Sequence, residues 1–235
     1  MTRFFHGAAT STGRVRRVNE DSYLVLPPIF AVADGMGGHD AGEVASAVAI
    51  DVLARYARGG PLSVDAVLAA LDEANRAVIG HGEAQRMGTT VTGLASLVTP
   101  AGSQLMVFNV GDSRVYRLAG DQFGQLTVDH SEVQELVLAG AITPEQARTH
   151  PRRNIVTRAL GSDFVVRPDH WLLPPLAGDR YLVCSDGLTG ELTDEEILPL
   201  LLADDPQQAA AALVAAADGA GGHDNTTVIV VDVTG

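Results

Sequence analysis

Three apolar runs in this chain stop on an acidic residue beside a glycine. Ile29–Ala33 runs into Asp34-Gly35, Tyr181–Ser185 into Asp186-Gly187, and Val107–Val110 into Gly111-Asp112. Asp224 stands just before the apolar run Thr226–Val233, and Glu20-Asp21 just before Ser22–Leu26. One Asp-Gly pair is an ordinary turn signal. A carboxylate at the end of a buried strand is another matter, because taking its charge out of water is costly unless it is paired. The repetition implies that these strand ends converge and that something cationic compensates them. The chain has no lysine, its 16 basic residues all being arginine, and few of them lie near these acids in sequence. Divalent cations would serve. Oxygen ligands without a Cys or His pattern favour hard ions, Mg²⁺ or Mn²⁺, over zinc. The glycine after Asp34 allows close backbone approach, which makes the Gly35 carbonyl a further candidate ligand.

Short segments rich in Val, Leu, Ile and aromatics predict strands over Phe4–Ala9, Ser22–Leu26, Ile29–Ala33, Val91–Val98, Gln104–Val110, Val115–Ala119, Gln122–Thr127, Val165–Leu173, Arg180–Ser185 and Thr226–Val233. Brief polar turns such as Ala119-Gly120-Asp121 favour antiparallel pairing. Helices are predicted over Ala41–Ala57, Ser63–His81, Ser131–Ala139, Pro144–Arg148, Asp194–Leu202 and Pro206–Ala217. In the first, Val44, Val48, Asp51 or Val52, and Arg55 fall near helical spacing, with Ala45, Ala49 and Leu53 beside them. Thr193 with Glu196 has the pattern of a capping box, and Asp205-Pro206 that of an N-cap followed by proline. Strands outnumber helices and come in runs, so the class is α+β.

A chain of 235 residues with 46% hydrophobic and 19% charged residues suits one folded domain, without linker or repeat. A net charge of −13 argues against nucleic acid and anionic membrane surfaces as partners. Apolar runs stop well short of the ~18 residues a membrane span needs. The opening MTRFFHGAATSTGR lacks the apolar core of a secretion signal, so the expected compartment is the cytoplasm. Nothing demands more than a monomer. The lone Cys184 cannot form an internal disulfide. It also lacks the arginine six residues on that a cysteine nucleophile for phosphate would need, Gly190 standing there. In the run YLVCS it reads as a small core residue. Arg16, four residues before Glu20, is placed to face an acidic site, where a guanidinium offers a two-pronged grip on phosphate oxygens.

Taken in order, RRVNEDS (16–22), VADGMGGHDAGEVAS (32–46), MGTT (87–90), NVGDSRVYR (109–117), the stretch 129–161, CSDGL (184–188) and GGHDNTTV (221–228) resemble the metal-dependent serine/threonine phosphatases of type 2C, in their compact bacterial form. Each motif alone is weak; the ordered set covers nearly the whole chain. The resemblance implies a four-layer α-β-β-α sandwich, two antiparallel sheets flanked by helices, with two metals, possibly three, in a cleft at one end. Asp34 would bridge two ions, the carbonyl of Gly35 would complete one site, and Asp186 and Asp224 the other. Asp112 with Asp186 would hold a third ion, Glu20 and Asp21 would hold waters around the metals, and Arg16 would grip the substrate phosphate. Residues 130–158 would form a flap beside the cleft, its His150-Pro151-Arg152-Arg153 being either a substrate contact or a plain polar loop. The implied activity is hydrolysis of phosphoserine and phosphothreonine on proteins by a water activated at a binuclear Mn/Mg centre. The implied substrates are proteins phosphorylated by a bacterial serine/threonine kinase.

Two positions depart from the animal pattern. Met36 replaces a histidine proposed as general acid, and Gly190 replaces an acidic ligand. The general acid is then either a water on the metals or His39, which could instead cap the helix that follows. Two rival functions remain at this point: a phosphoprotein-binding domain without turnover, and a metal-dependent nuclease or small-molecule phosphatase.

Overall fold

The structure is a computed structural model that describes residues 2–37, 41–81, 87–99 and 102–235. Its strands are β1 (Arg3–Ser11), β2 (Asp21–Leu26), β3 (Ile29–Gly37), β4 (Met87–Thr89), β5 (Val91–Thr99), β6 (Gly102–Val110), β7 (Arg114–Ala119), β8 (Gln122–Gln125), β9 (Asp169–Leu173), β10 (Arg180–Cys184) and β11 (Thr226–Thr234). The helices are α1 (Ala41–Arg58), α2 (Val64–His81), α3 (Glu132–Leu138), α4 (Pro144–Arg148), α5 (Asp186–Glu191), α6 (Asp194–Leu201) and α7 (Pro206–Ala220). Among the described residues one sheet has the order β1-β11-β10-β7-β8 and a second β2-β3-β5-β6-β9, with β4 added to β3. The strand pairings are antiparallel.

Alternation along the strands builds the layers, because successive side chains point to opposite faces. On β3, Phe30 and Val32 face the other sheet and meet Tyr181, Val183, Ile229 and Val231 there. Their neighbours Ile29, Ala31 and Ala33 face outward against α1 and α2. On β10, Leu182 and Cys184 turn outward against Ile197 of α6 and Leu213 of α7. Strands buried on both faces read as continuous apolar runs, as Ile29–Ala33 and Thr226–Val233 do. The expected four-layer α-β-β-α sandwich is borne out.

The caps follow the sequence pattern. Thr193 and Glu196 form the reciprocal capping box of α6, and Asp205 caps α7 through the backbone N–H of Gln208, with Pro206 opening the helix. In α1 the buried face carries Ala45, Ala49 and Leu53, whereas Val44 is 44% exposed. Alanines there let the helix lie close on β3. The strand predicted over Val165–Leu173 begins only at Asp169. Pro168 has no N–H to give a ladder, and Val165 points to solvent at 71% exposure. Two short elements were not anticipated: β4, and α5, which starts on Asp186 where the sequence suggested a turn.

Candidate active site

The acidic strand ends meet at one end of the sandwich. Asp21 and Asp34 are directly opposed in the β2–β3 ladder. Asp34 continues past Val32 on the face toward the other sheet, and its backbone is fixed by Thr90: Thr90 N–H donates to the Asp34 carbonyl at 2.9 Å, and Asp34 N–H to Thr90 Oγ1 at 3.0 Å. From the other sheet, Asp186 opens α5 one residue past the end of β10, and its carboxyl lies within hydrogen-bonding reach of Asp34. Asp112, in the turn from β6 to β7, faces Asp186 and Asp34 electrostatically, and Asp224, before β11, faces Asp186 and Asp21. Glu20 lies against the start of α1, its Oε1 2.7 Å from where a side chain on Gly42 would begin.

Crowding raises the proton affinity of these acids. Burial, then the charges of Asp21, Asp186 and Asp112, push the Asp34 carboxyl well above the usual carboxylate range. Asp112 is pushed well above it too, by burial and then by Asp186 and Asp129, and Asp186 is raised by burial and by Asp224. Asp21 is pushed up to about 7, chiefly by burial, although hydrogen bonds from Thr227 and Ser185 oppose the shift. The Ser185 hydroxyl donates to Asp21 Oδ2 at 2.8 Å, whereas Asp21 Oδ1 is buried without a hydrogen-bond partner.

Arg16 reaches this group from the loop before β2. Its Nη2 donates to Asp224 Oδ2 at 2.6 Å, and Glu20 and Asp34 add to the negative field around it. Gly35 fits only as glycine: a Cβ there would stand 2.1 Å from the Gly42 carbonyl oxygen and 2.6 Å from that of Glu20. Among the described residues no three His, Cys, Asp or Glu side chains are clustered as a ready-made ligand cage; the contacts are pairwise, Asp34 with Asp186 and Arg16 with Asp224. The donor chemistry nonetheless suits a hard cation, being oxygen-only, with half-buried acids that repel one another and the buried, unpartnered Asp21 Oδ1 among them.

The residues around the site were harder to foresee. Arg114 makes a half-buried ion pair with Asp129 (Nη2 to Oδ2, 2.6 Å) and also donates to the Tyr116 hydroxyl at 3.0 Å. His130 and Gly111 bond reciprocally: His130 N–H donates to the Gly111 carbonyl at 2.9 Å, and Gly111 N–H to His130 Nδ1 at 3.0 Å. Asn225 follows Asp224 and ties it to the Arg16 loop. Within 130–158 lie α3 and α4, held to the body by the Arg148 bond to the Leu192 carbonyl. His39 lies outside the described residues. Met36 sits on β3, paired with Gly88 of β4. Cys184 is buried among apolar neighbours, and burial pushes its thiol up to about 12, far from a nucleophile's range.

A carboxylate-lined end shared by two antiparallel sheets, with helices outside, marks a phosphatase-type hydrolase fold, and the chain belongs to the protein phosphatase 2C family, whose model matches residues 14–205. The serine/threonine protein phosphatase PstP of Mycobacterium tuberculosis is 42% identical over 202 residues, 83% of this chain and 38% of that protein. The serine/threonine phosphatase stp of Listeria innocua is 39% identical over 207 residues, 82% of this chain and 81% of its own length. A crystal structure of the PstP catalytic domain, in complex with 2 manganese ions, superposes with a TM-score of 0.91 at 38% identity and covers 100% of both chains. The chain thus spans well under half the length of the mycobacterial relative. Asp224 lies past the span that the family model matches, and its place beside the other acids is seen in its contact with Arg16 and its charge facing Asp186 and Asp21.

Proposed function

We propose that this chain is a metal-dependent phosphatase for phosphoserine and phosphothreonine on proteins. The observation that carries this reading is the gathering, at one end, of half-buried acids from both sheets around the buried Asp112, with Arg16 at their edge. Asp34, Gly35, Asp186 and Asp224 would hold two Mn²⁺ or Mg²⁺ ions, and Asp112 with Asp186 a third. Such ions, when bound, would offset phosphate charge and lower the pKa of water towards about 7. The remaining tasks fall to the chain. Arg16 orients the phosphate with its paired N–H groups, and Glu20 and Asp21 accept hydrogen bonds from water held beside it. Cys184 takes no part.

The chain acts as a single catalytic domain over 1–235 with a flap at 130–158, on proteins phosphorylated by a bacterial serine/threonine kinase. It works as a cytoplasmic monomer. Among the described residues no helix is long and apolar enough to cross a membrane. The names of the mycobacterial and listerial relatives, both serine/threonine phosphatases, support the substrate class over nucleic acid, as does the net charge of −13.

The test is manganese-dependent release of phosphate from phosphothreonine peptides, with nucleotides and DNA as competitors. Asp34→Asn and Asp186→Asn should each lower turnover by about 10²–10³-fold or more. Full activity in both variants would remove these acids from the site, and manganese binding without turnover in the wild type would favour a phosphoprotein-binding role.

A further inference from the structure

Asn225 carries a connection that none of the functional roles above assigns. Its side chain is buried and bonds at every polar position it has. Nδ2 donates to the carbonyls of Thr12 and Val18, both at 3.0 Å, and Oδ1 accepts from Glu20 N–H at 2.9 Å. Its backbone N–H donates to Asp224 Oδ1 at 2.8 Å. One residue therefore grips both ends of the segment that carries Arg16 and also the carboxylate that Arg16 touches. The amide orientation is set by its partners, since the reverse would face oxygen to two carbonyls and NH₂ to an N–H. The crossing is tight. A Cβ on Gly13 would stand 2.4 Å from the Asp224 carbonyl oxygen, and Arg14 N–H donates to the Gly222 carbonyl at 2.7 Å. Arg16 itself is on a loop without regular secondary structure, so nothing in a helix or ladder fixes where its guanidinium points.

We infer that Asn225 is a positioning residue for phosphate binding: it closes the 12–20 segment onto the Asp224 loop and so aims Arg16. This rests on the proposed phosphate role of Arg16. Neither alanine nor aspartate can replace it. Alanine loses all three side-chain bonds, and aspartate keeps an acceptor for Glu20 N–H but sets an oxygen against the Thr12 and Val18 carbonyls.

The test is a double-mutant cycle on manganese-loaded enzyme with p-nitrophenyl phosphate, using Arg16→Ala, Asn225→Ala and the pair, with Asn225→Asp as the second probe should Asn225→Ala fail to fold. Arg16→Ala and Asn225→Ala should each raise KM by about 10–100-fold while kcat changes much less, and the pair should be no worse than Arg16→Ala alone. Hydrogen exchange at the Glu20 amide should be slow in the wild type and fast in Asn225→Ala. An unchanged KM in Arg16→Ala removes the phosphate role of Arg16, and the inference falls with it. If Arg16→Ala raises KM but Asn225→Ala does not, or the two effects multiply, then Asn225 does not act through Arg16 even though the phosphate site stands. A lowered melting temperature with KM intact would make Asn225 merely structural. A Glu20 amide in the wild type that exchanges as fast as an open loop would overturn the clasp directly.

Discussion

Removing divalent cations should turn the cluster of acids into a pH-dependent weakness. The Asp21 carboxyl, pushed up to about 7 by burial first and by Asp186 and Asp224 thereafter, keeps a proton in the folded chain that an unfolded aspartate releases near 3.9. Between those values the folded state binds more protons than the unfolded one, so stability falls as pH rises. The contribution is whole below about pH 4 and is lost on passing about pH 7. A gap of about three pH units corresponds to about 4 kcal/mol, an upper figure, against a typical total stability of about 5–15 kcal/mol. Asp34, Asp112 and Asp186 are raised in the same direction and steepen the slope. The assay is urea unfolding followed by circular dichroism in EDTA, at about pH 5 and about pH 7.5. The midpoint should be higher at the lower pH, Asp21→Asn should flatten the difference, and manganese should restore stability most at the higher pH. Equal midpoints at both pH values in EDTA, or an undiminished slope in Asp21→Asn, would refute the reasoning.

Other substitutions probe the same structure. Gly35→Ala places a Cβ 2.1 Å from the Gly42 carbonyl oxygen, and should cost at least about 1–3 kcal/mol in thermal unfolding and weaken manganese binding measured by calorimetry. Cys184→Ala should leave kcat essentially unchanged while costing about 1 kcal/mol of stability, and iodoacetamide should not inhibit the folded enzyme; loss of turnover in that variant would reopen a thiol mechanism. Asn75, fully buried on α2, donates to the Asp163 carbonyl and accepts from Gly161 N–H, both at 2.8 Å. Asn75→Ala should therefore cost about 1–3 kcal/mol and speed proteolysis in the loop 161–167, with melting curves and limited chymotrypsin digestion at the exposed Phe164 as the readouts.

What could be read from the chain depended on how local the signal was. The strand over Arg180–Cys184 and the caps at Thr193 and Asp205 follow from neighbouring residues alone, and they appear nearly where the pattern places them. Asp34, Asp186 and Asp112 stood out because each ends or follows an apolar run, a mismatch visible without knowing the fold. Short β4 and α5 were not legible. Met87–Thr89 is too brief for a period, and α5 gets its place from packing of Gly187 and Leu188 rather than from propensity. The polar clasps were hidden for another reason. Asn225 bonds to Thr12, more than two hundred positions away, and Arg114 to Asp129 across a hairpin. Only the folded topology brings such partners together. An asparagine beside an acid in GGHDN was the sole local hint.

The opposed acids come from different halves of the sandwich: Asp21 and Asp34 belong to one sheet, Asp186 and Asp224 flank strands of the other. An ion shared among them would act as a rivet through both plates, resisting any slide of one against the other. Apolar side chains between the plates supply cohesion that is tolerant of small slippage, whereas carboxylate oxygens around a hard cation are not. Filling the cleft should therefore stiffen the seam along its length, and exchange at amides toward the ends of β5 and β10 that point away from the acids, near Leu97 and Arg180, should slow when manganese is added.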